Sequence, residues 1–189
     1  VRVGEQAVAE FQDVLTHDAG NLSAIDGLGS ILFQMAGTPF QPERYEESKK
    51  YHQKHISLSP NDADPYYWVG VINWTLGRRA NDELRQAYNV ENPRKQIKDP
   101  DPLPDKLRAQ FTEQQGPMVE EAMQMLDKAM QIRPDYADAI AYRSLVLRMK
   151  ADMADAATRA SLEKEADDLL EKVKTIKQKE AAEKAAKTM

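Results

Sequence analysis

Two of the three histidines in the chain lie close together and could share a metal ion. His52 and His55 are three residues apart, so both side chains would lie on one face of a helix. A closed zinc site takes four ligands, and the sequence has no cysteine and no obvious third ligand beside this pair. Packing of both rings against a neighbouring helix is therefore the favoured interpretation, and we expect no metal. His17 follows a helical segment, where it would interact with the negative end of the helix dipole.

A second candidate for chemistry is the stretch DPDPLPD, which places Asp99, Asp101 and Asp105 close together. A calcium loop of the EF-hand kind needs a glycine turn and a bidentate glutamate at fixed offsets, and neither is present. A phosphate-binding glycine loop, a nucleophile elbow and a usable Ser/His/Asp order are also missing. We therefore predict that the chain is not an enzyme and uses no cofactor.

Composition narrows the choice of partners. The 189 residues carry a formal net charge of −5, with 41% hydrophobic and 30% charged residues. Basic side chains are interspersed with acidic ones, which disfavours binding to nucleic acid or to an anionic membrane surface. The longest apolar runs are too short to cross a bilayer, so we predict no membrane insertion. Because the first residue is Val1 and not methionine, we expect that a further segment precedes it.

The elements that must position these residues follow a helical pattern with a period of about 34 residues. The run EEAMQMLDKAMQIRPDYADAIAYRSLVLRMKA places Ala122, Leu126 and Ala129 at helical spacing, then stops at Pro134, then starts a second helix at Ala137. The same frame occurs in SKKYHQKHISLSPNDADPYYWVGVINWTLG and in AVAEFQDVLTHDAGNLSAIDGLGSILF. Each run therefore predicts two helices joined by a short turn.

This pattern resembles the tetratricopeptide repeat, whose helix B reads A-x3-F-x2-A-x4-P and whose helix A reads W-x2-L-G-x2-Y. Ile25 and Tyr66 replace the tryptophan of helix A, and Leu32 and Asn73 replace its tyrosine, but an LG or VG pair occurs twice. The resemblance implies an all-α fold, a right-handed α-solenoid of antiparallel helix pairs about three and a half repeats long. From residue 155 onward, apolar residues recur at helical spacing with charged residues between them. This pattern predicts a last, capping helix with one apolar face and one polar face.

Two proline-containing stretches interrupt the frame. Pro39 and Pro42 predict a longer turn inside the second repeat. A larger insertion, residues 79–116, contains four prolines that exclude a continuous helix: Pro93, Pro100, Pro102 and Pro104. A helix could resume over residues 105–115, before Gly116 and Pro117. We therefore divide the chain into a repeat array, residues 1–177, and a charged C-terminal tail, residues 178–189.

The stretches DPYYWVGVINWT and GPMVEEAMQMLDKAMQIRPDYADAIAYRSLVLRMKADM, with the insertion between them, resemble a group of exported bacterial tetratricopeptide proteins. The resemblance covers about residues 5–177. It implies a scaffold or adaptor without catalytic residues, with further repeats upstream. It also favours a periplasmic or extracellular location, while a cytoplasmic one stays open.

Tetratricopeptide arrays bind extended or helical peptides on the concave surface of their A helices, so the resemblance implies a protein or peptide partner. The corresponding candidate residues are Asp26, Phe33, Tyr67, Val71, Trp74 and Arg148. This surface is aromatic and mildly acidic, unlike arrays that clamp a terminal carboxylate with several cations. Three alternatives stay open: the insertion or a neighbouring helix fills the groove, the chain assembles with itself into homo-oligomers or filaments, or the surface binds a small ligand or glycan.

Overall fold

The computed structural model describes residues 2–188, with side chains over residues 3–186, and within them it has seven α-helices and no strand. The helices are α1 (Arg2–His17), α2 (Leu22–Ala36), α3 (Pro42–Leu58), α4 (Ala63–Glu91), α5 (Asp105–Ile132), α6 (Ala137–Ala151) and α7 (Ala156–Thr188). Most of the connections are turns of four or five residues, which return the chain alongside the preceding helix.

The helices pack in successive antiparallel pairs. The most extensive packing joins α2 to α3, α4 to α5 and α6 to α7, while α1 packs on α2, α3 on α4 and α5 on α6. In addition, α4 packs directly on α6, and Phe33 of α2 contacts Trp68 of α4. Helices α2, α4 and α6 thus form an inner layer, the position of the A helices in a repeat solenoid. The all-α solenoid predicted from the sequence is confirmed.

Local sequence fixes the helix starts. Asn21 precedes α2, and its side-chain oxygen accepts a hydrogen bond from the Ala24 amide at 3.0 Å. Asp62 caps α4 in the same way through the Asp64 amide, also at 3.0 Å. Pro42 occupies the first turn of α3, where its missing N–H would have had no helical partner. These caps set the register with which each helix meets its neighbour.

One small residue recurs at the same place in each inner helix. A β-carbon at Gly29 of α2 would lie 2.7 Å from the ring of His52 in α3, and one at Gly70 of α4 would lie 2.5 Å from Leu126 in α5. Ser144 is the equivalent residue of α6, and its hydroxyl donates to the Ala166 carbonyl of α7 at 2.9 Å. The LG and VG pairs of the sequence therefore mark the points of closest helix approach.

A polar cluster joins the outer and inner layers in the middle of the array. Glu121 of α5 accepts hydrogen bonds from Lys49 of α3 and Asn73 of α4, both at 2.9 Å, and from Gln53 at 3.2 Å. Burial acts to raise the pKa of Glu121, but the hydrogen bonds from Lys49 and Asn73 outweigh it and lower this pKa. The cluster therefore satisfies the polar groups where three helices meet.

The insertion contains less irregular chain than its prolines suggest. Helix α4 continues to Glu91, and α5 starts at Asp105. The sequence indicated an end of the resumed helix before Gly116 and Pro117, but α5 runs through both. Pro117 is exposed and Gly116 has open space around it, while Phe111 and Val119 on either side are buried. Packing on both sides therefore holds the helix together across a residue that removes one backbone hydrogen bond.

Residues 92–104 form the irregular part of the insertion, and Arg85 anchors them. Its guanidinium donates to the carbonyl oxygens of Lys98 and Asp101, at 3.1 and 2.9 Å, and to Asp152 at 3.0 Å. Arg159, at the start of α7, pairs with the other oxygen of Asp152 at 2.9 Å. The loop is therefore fixed to the C-terminal half of α4 and to the junction of α6 and α7.

The last helix covers α6 with one face. Ala166 and Val173 are buried, and Leu162, Leu169 and Ile176 pack beside them. Residues 178–186 continue the helix with exposed side chains beyond the end of α6. Among the described helices, none combines the length and apolar character needed to cross a membrane.

Candidate functional site

A row of half-buried aromatic side chains crosses the inner layer. Its members, called the aromatic row below, are Phe33, Trp68, Tyr67, Tyr142 and Trp74. Successive ring centroids are 5.2, 5.3, 5.6 and 5.4 Å apart, with interplanar angles between 61° and 86°. Edge-to-face contacts of this kind hold each ring in a defined position. The row connects α2, α4 and α6 and contains both tryptophans of the chain.

Buried histidines support one end of the row. The ring of His52 is stacked on Trp68 with centroids 5.8 Å apart, and neither of its nitrogens has a hydrogen-bond partner. Burial, and then the neighbouring His55, lower the pKa of His52 to about 4. His52 is therefore neutral at neutral pH and acts as a packing residue beneath Trp68.

His55 lies between two carboxylates. Its Nδ1 is 2.5 Å from Asp26 of α2, and its Nε2 is 3.3 Å from Asp62 at the start of α4. Asp26 therefore already has a hydrogen-bond partner within the same molecule, the ring of His55. Within residues 2–188, no three His, Asp or Glu side chains are grouped closely enough to hold a metal ion.

Tyrosines and aspartates form the rim at the N-terminal ends of α4 and α6. Tyr136 lies beside Tyr67, with ring centroids 5.1 Å apart. Arg133 places its guanidinium carbon 3.5 Å from the centre of the Tyr136 ring and also pairs with Asp64. Burial raises the pKa of Tyr67, and the neighbouring Tyr142, Asp138 and Asp64 raise it further. The hydroxyls of the rim therefore stay neutral and lie in a negative field.

The opposite end of the row meets the anchored loop. A cavity of about 140 Å³ lies between α4, α6, α7 and the loop, with Trp74 and Leu145 next to Asp99 and Pro100. Its charged side chains are in ion pairs, as in the 2.6 Å contact between Arg78 and Asp99. The loop thus closes the C-terminal end of the surface, and its hydrogen bonds do not reach the N-terminal half of α4, where Tyr67 lies.

The structure brings three of the six residues predicted from the sequence into the row: Phe33, Tyr67 and Trp74. Val71 is only 2% exposed, so it lies beneath the surface and offers no contact area. Trp68 and Trp74, one turn before and after it, carry much larger side chains on the same side of the helix.

The two charged residues of the prediction lie apart from the row. Asp26 is bound to His55, and Arg148 pairs with Asp167 of α7 at 2.5 Å and lines the cavity beside Trp74. Sequence reasoning missed Trp68, Tyr142 and Tyr136 as surface residues. The ideal repeat places Ala141 on the concave side, and Tyr142 is the next residue. An aromatic residue beside this position was the signal that could have indicated Tyr142.

The helix pairs, the small residue at each point of close approach and the inner layer define an α-solenoid of the tetratricopeptide-repeat type. No family model matches the sequence, and the search of curated proteins finds no significant relative.

Among solved structures, two crystal structures of MamA and one of YrrB are similar over most of the chain. The first MamA structure is 18% identical, with 95% of this chain and 91% of that chain covered and a TM-score of 0.33. YrrB, described as a TPR protein with an unusual peptide-binding site, is 21% identical, with 100% and 86% covered and a TM-score of 0.34. Likeness at this level adds nothing to what the helix packing itself shows.

Proposed function

We propose that this chain is a non-enzymatic protein-binding scaffold that holds a peptide segment of a partner protein on its inner layer. The observation that carries the proposal is the aromatic row. Its five rings are half-buried, so each is held in place by its neighbours and still offers surface to a ligand. Rigid, partly exposed aromatic side chains contribute most strongly to protein interfaces.

The position of the insertion supports this proposal. Had the loop folded back along α4 toward Tyr67, it would have occupied the groove itself. Its anchors are instead Arg85 and Arg159, and the nearest row residue is Trp74 at the edge of the cavity. A peptide would therefore enter from the N-terminal ends of α4 and α6 and extend toward the loop.

The chemistry of the surface also favours binding over catalysis. The tyrosine hydroxyls have raised pKa values, so they are poor nucleophiles at neutral pH. His52 is buried beneath Trp68 and has no route to a substrate, and His55 is fixed between two carboxylates. The two histidines therefore pack beneath the surface and stabilise it.

Substitution of a row residue tests the proposal. Trp74→Ala should reduce capture of partner proteins from a native lysate at least tenfold, because it removes one of the two indole rings of the row. Circular dichroism should show nearly unchanged helix content. The matched control is Tyr51→Ala, since Tyr51 is a half-buried aromatic residue of the outer helix α3.

Equal capture by the wild-type chain and the Trp74→Ala variant would contradict the proposal, as would an equal loss in the Tyr51→Ala variant.

Self-assembly stays the alternative prediction. The exposed valines of α1, Val3 and Val14, are scattered single residues of a kind that is ordinary on protein surfaces, and by themselves they indicate no interface.

A further inference from the structure

The rim of the aromatic row already holds one cationic side chain. Arg133 stacks on the face of Tyr136 and pairs with Asp64, so the same guanidinium uses an aromatic ring and a carboxylate together. An aromatic face attracts a cation through its quadrupole, and a nearby carboxylate adds charge attraction. This part of the surface is therefore occupied by the chain itself.

A second set of the same groups lies next to it, and no cation among the side chains of residues 3–186 stacks on it. Tyr67 and Tyr142 meet edge to face at 5.6 Å, and Asp138 lies one turn before Tyr142 on α6. The charge of Asp138 acts on both hydroxyls, since it raises the pKa of Tyr67 and of Tyr142 after the larger effect of burial. Two aromatic rings and one carboxylate thus converge at the N-terminal end of the groove.

The ion pair now made by Asp138 is weak. Lys177 of α7 places its Nζ 3.7 Å from the carboxylate, and the two side chains are 59% and 62% exposed. Exposed pairs at such distances contribute little to stability, so an incoming cation can replace Lys177 at small cost. Arg133, by contrast, is held by both its ring and its carboxylate and is not easily displaced.

We propose that Tyr67, Tyr142 and Asp138 form a subsite for one arginine or lysine side chain of the peptide that occupies the groove. The inference rests on the proposed function, because it requires a peptide on the aromatic row. It goes further by assigning the peptide a cationic residue at its end nearest the N-terminus of α6. The net charge of −5 favours approach of such a segment.

The test begins with a random dodecamer library displayed on phage and selected on the immobilised full chain. Sequences are kept if they bind the wild-type chain and the Tyr51→Ala variant but not Trp74→Ala. We expect the kept sequences to share a position occupied by arginine or lysine. If no sequence passes this filter, the proposed function fails and the subsite fails with it.

The strongest kept peptide is then synthesised in two forms. In the second form the shared arginine is replaced by citrulline, which removes the charge and keeps nearly the same shape, or the lysine by norleucine, which removes the charged amine and keeps the alkyl chain. Loss of charge should weaken binding about 3- to 10-fold for the wild-type chain. The same loss is expected for Asp13→Asn, the control in which an equivalent exposed carboxylate is removed from α1.

The Asp138→Asn variant tests whether the carboxylate of Asp138 contributes to binding of the cationic residue. It should bind the charged peptide more weakly than the wild-type chain does, and neutralising the peptide should then cost it clearly less, because only the attraction of the two aromatic rings for the cation remains. A full loss on neutralisation in Asp138→Asn would overturn the subsite, and so would kept peptides without a shared cationic position. Either result would leave the binding role of the aromatic row intact.

Discussion

Single small residues decide how closely the paired helices approach. Gly70 lies against the branched side chain of Leu126, and Gly29 lies against the ring of His52. Neither neighbour can move freely, because both are buried in the packed interior. The stability of the α2–α3 and α4–α5 pairs therefore depends on the absence of one methyl group.

Gly70→Ala should lower the free energy of unfolding by about 1–3 kcal/mol, because the new β-carbon would meet Leu126 at 2.5 Å. Gly37→Ala is the control. Gly37 has helical backbone angles (φ −79°, ψ −36°), and a β-carbon there would meet only ordinary contacts. It should raise the free energy of unfolding by about 0.4–1 kcal/mol. Urea denaturation measures both, and equal effects would contradict the role of Gly70 in packing.

The buried ring of His52 gives the fold a dependence on pH. Its pKa in the folded chain is about 4, below the ordinary histidine value of 6.5, so between these values the unfolded chain binds the additional proton. The contribution of this residue is fully present above pH 6.5, falls as the pH drops, and is lost below pH 4. The cost approaches about 3 kcal/mol.

Urea denaturation of the wild-type chain and of His52→Leu at a series of pH values tests this dependence. The variant keeps an apolar side chain beneath Trp68 but has no ring to protonate. The difference in free energy of unfolding should therefore shift in favour of the variant as the pH falls from 6.5 to 4. A constant difference across this window would show that His52 is protonated as easily in the folded chain as in the unfolded one.

The insertion shows how helices and a loop cooperate to end the groove. Arg85 is buried and makes four hydrogen bonds: to Asn81, to the Lys98 and Asp101 carbonyls, and to Asp152. Residues 92–104 contribute few buried side chains of their own, apart from Leu103. The position of the loop therefore depends more on hydrogen bonds than on apolar packing, and Arg85 is the buried member of a set that also includes Arg78, Asn89 and Arg159.

Arg85→Met should lower the free energy of unfolding by about 1–3 kcal/mol, because two loop carbonyls lose a buried donor while Asp152 keeps its contacts with Asn81 and Arg159. Hydrogen exchange of residues 92–104 should accelerate at the same time. Arg79→Met, on the exposed side of the same helix, removes a surface pair with Glu83 and an exposed contact with the Phe40 ring, and it should change stability by about 1 kcal/mol or less. Unchanged exchange of the loop in Arg85→Met would contradict the anchoring role.

The helix pairs could be predicted because they follow from periodic apolar positions, turn prolines and the small residue at each crossing. The continuity of α5 could not, since local rules place a break at Pro117, and only burial of Phe111 and Val119 overrides them. For the candidate site, the repeat frame indicated helices α2, α4 and α6 and placed Val71 on the surface, whereas the structure buries Val71. Which residue of a helix face is exposed depends on the size of its neighbours, and this requires the packed structure.

The chain as a whole combines a solenoid, a loop that closes one end of its inner layer, and an aromatic row that ends in an acidic rim. Both tryptophans belong to the row, so tryptophan emission reports on this surface and on no other part of the chain. This makes the central claim directly measurable, because a ligand on the row must change the surroundings of Trp74, Trp68 or both.

The decisive measurement is a titration of the full chain with the selected dodecamer, followed in parallel by tryptophan emission and by calorimetry. We predict a saturating shift of the emission to shorter wavelength, with the same dissociation constant by both methods, because the peptide shields the indole rings from water. Binding seen by calorimetry with unchanged tryptophan emission would place the ligand elsewhere and show that the aromatic row is not the binding surface.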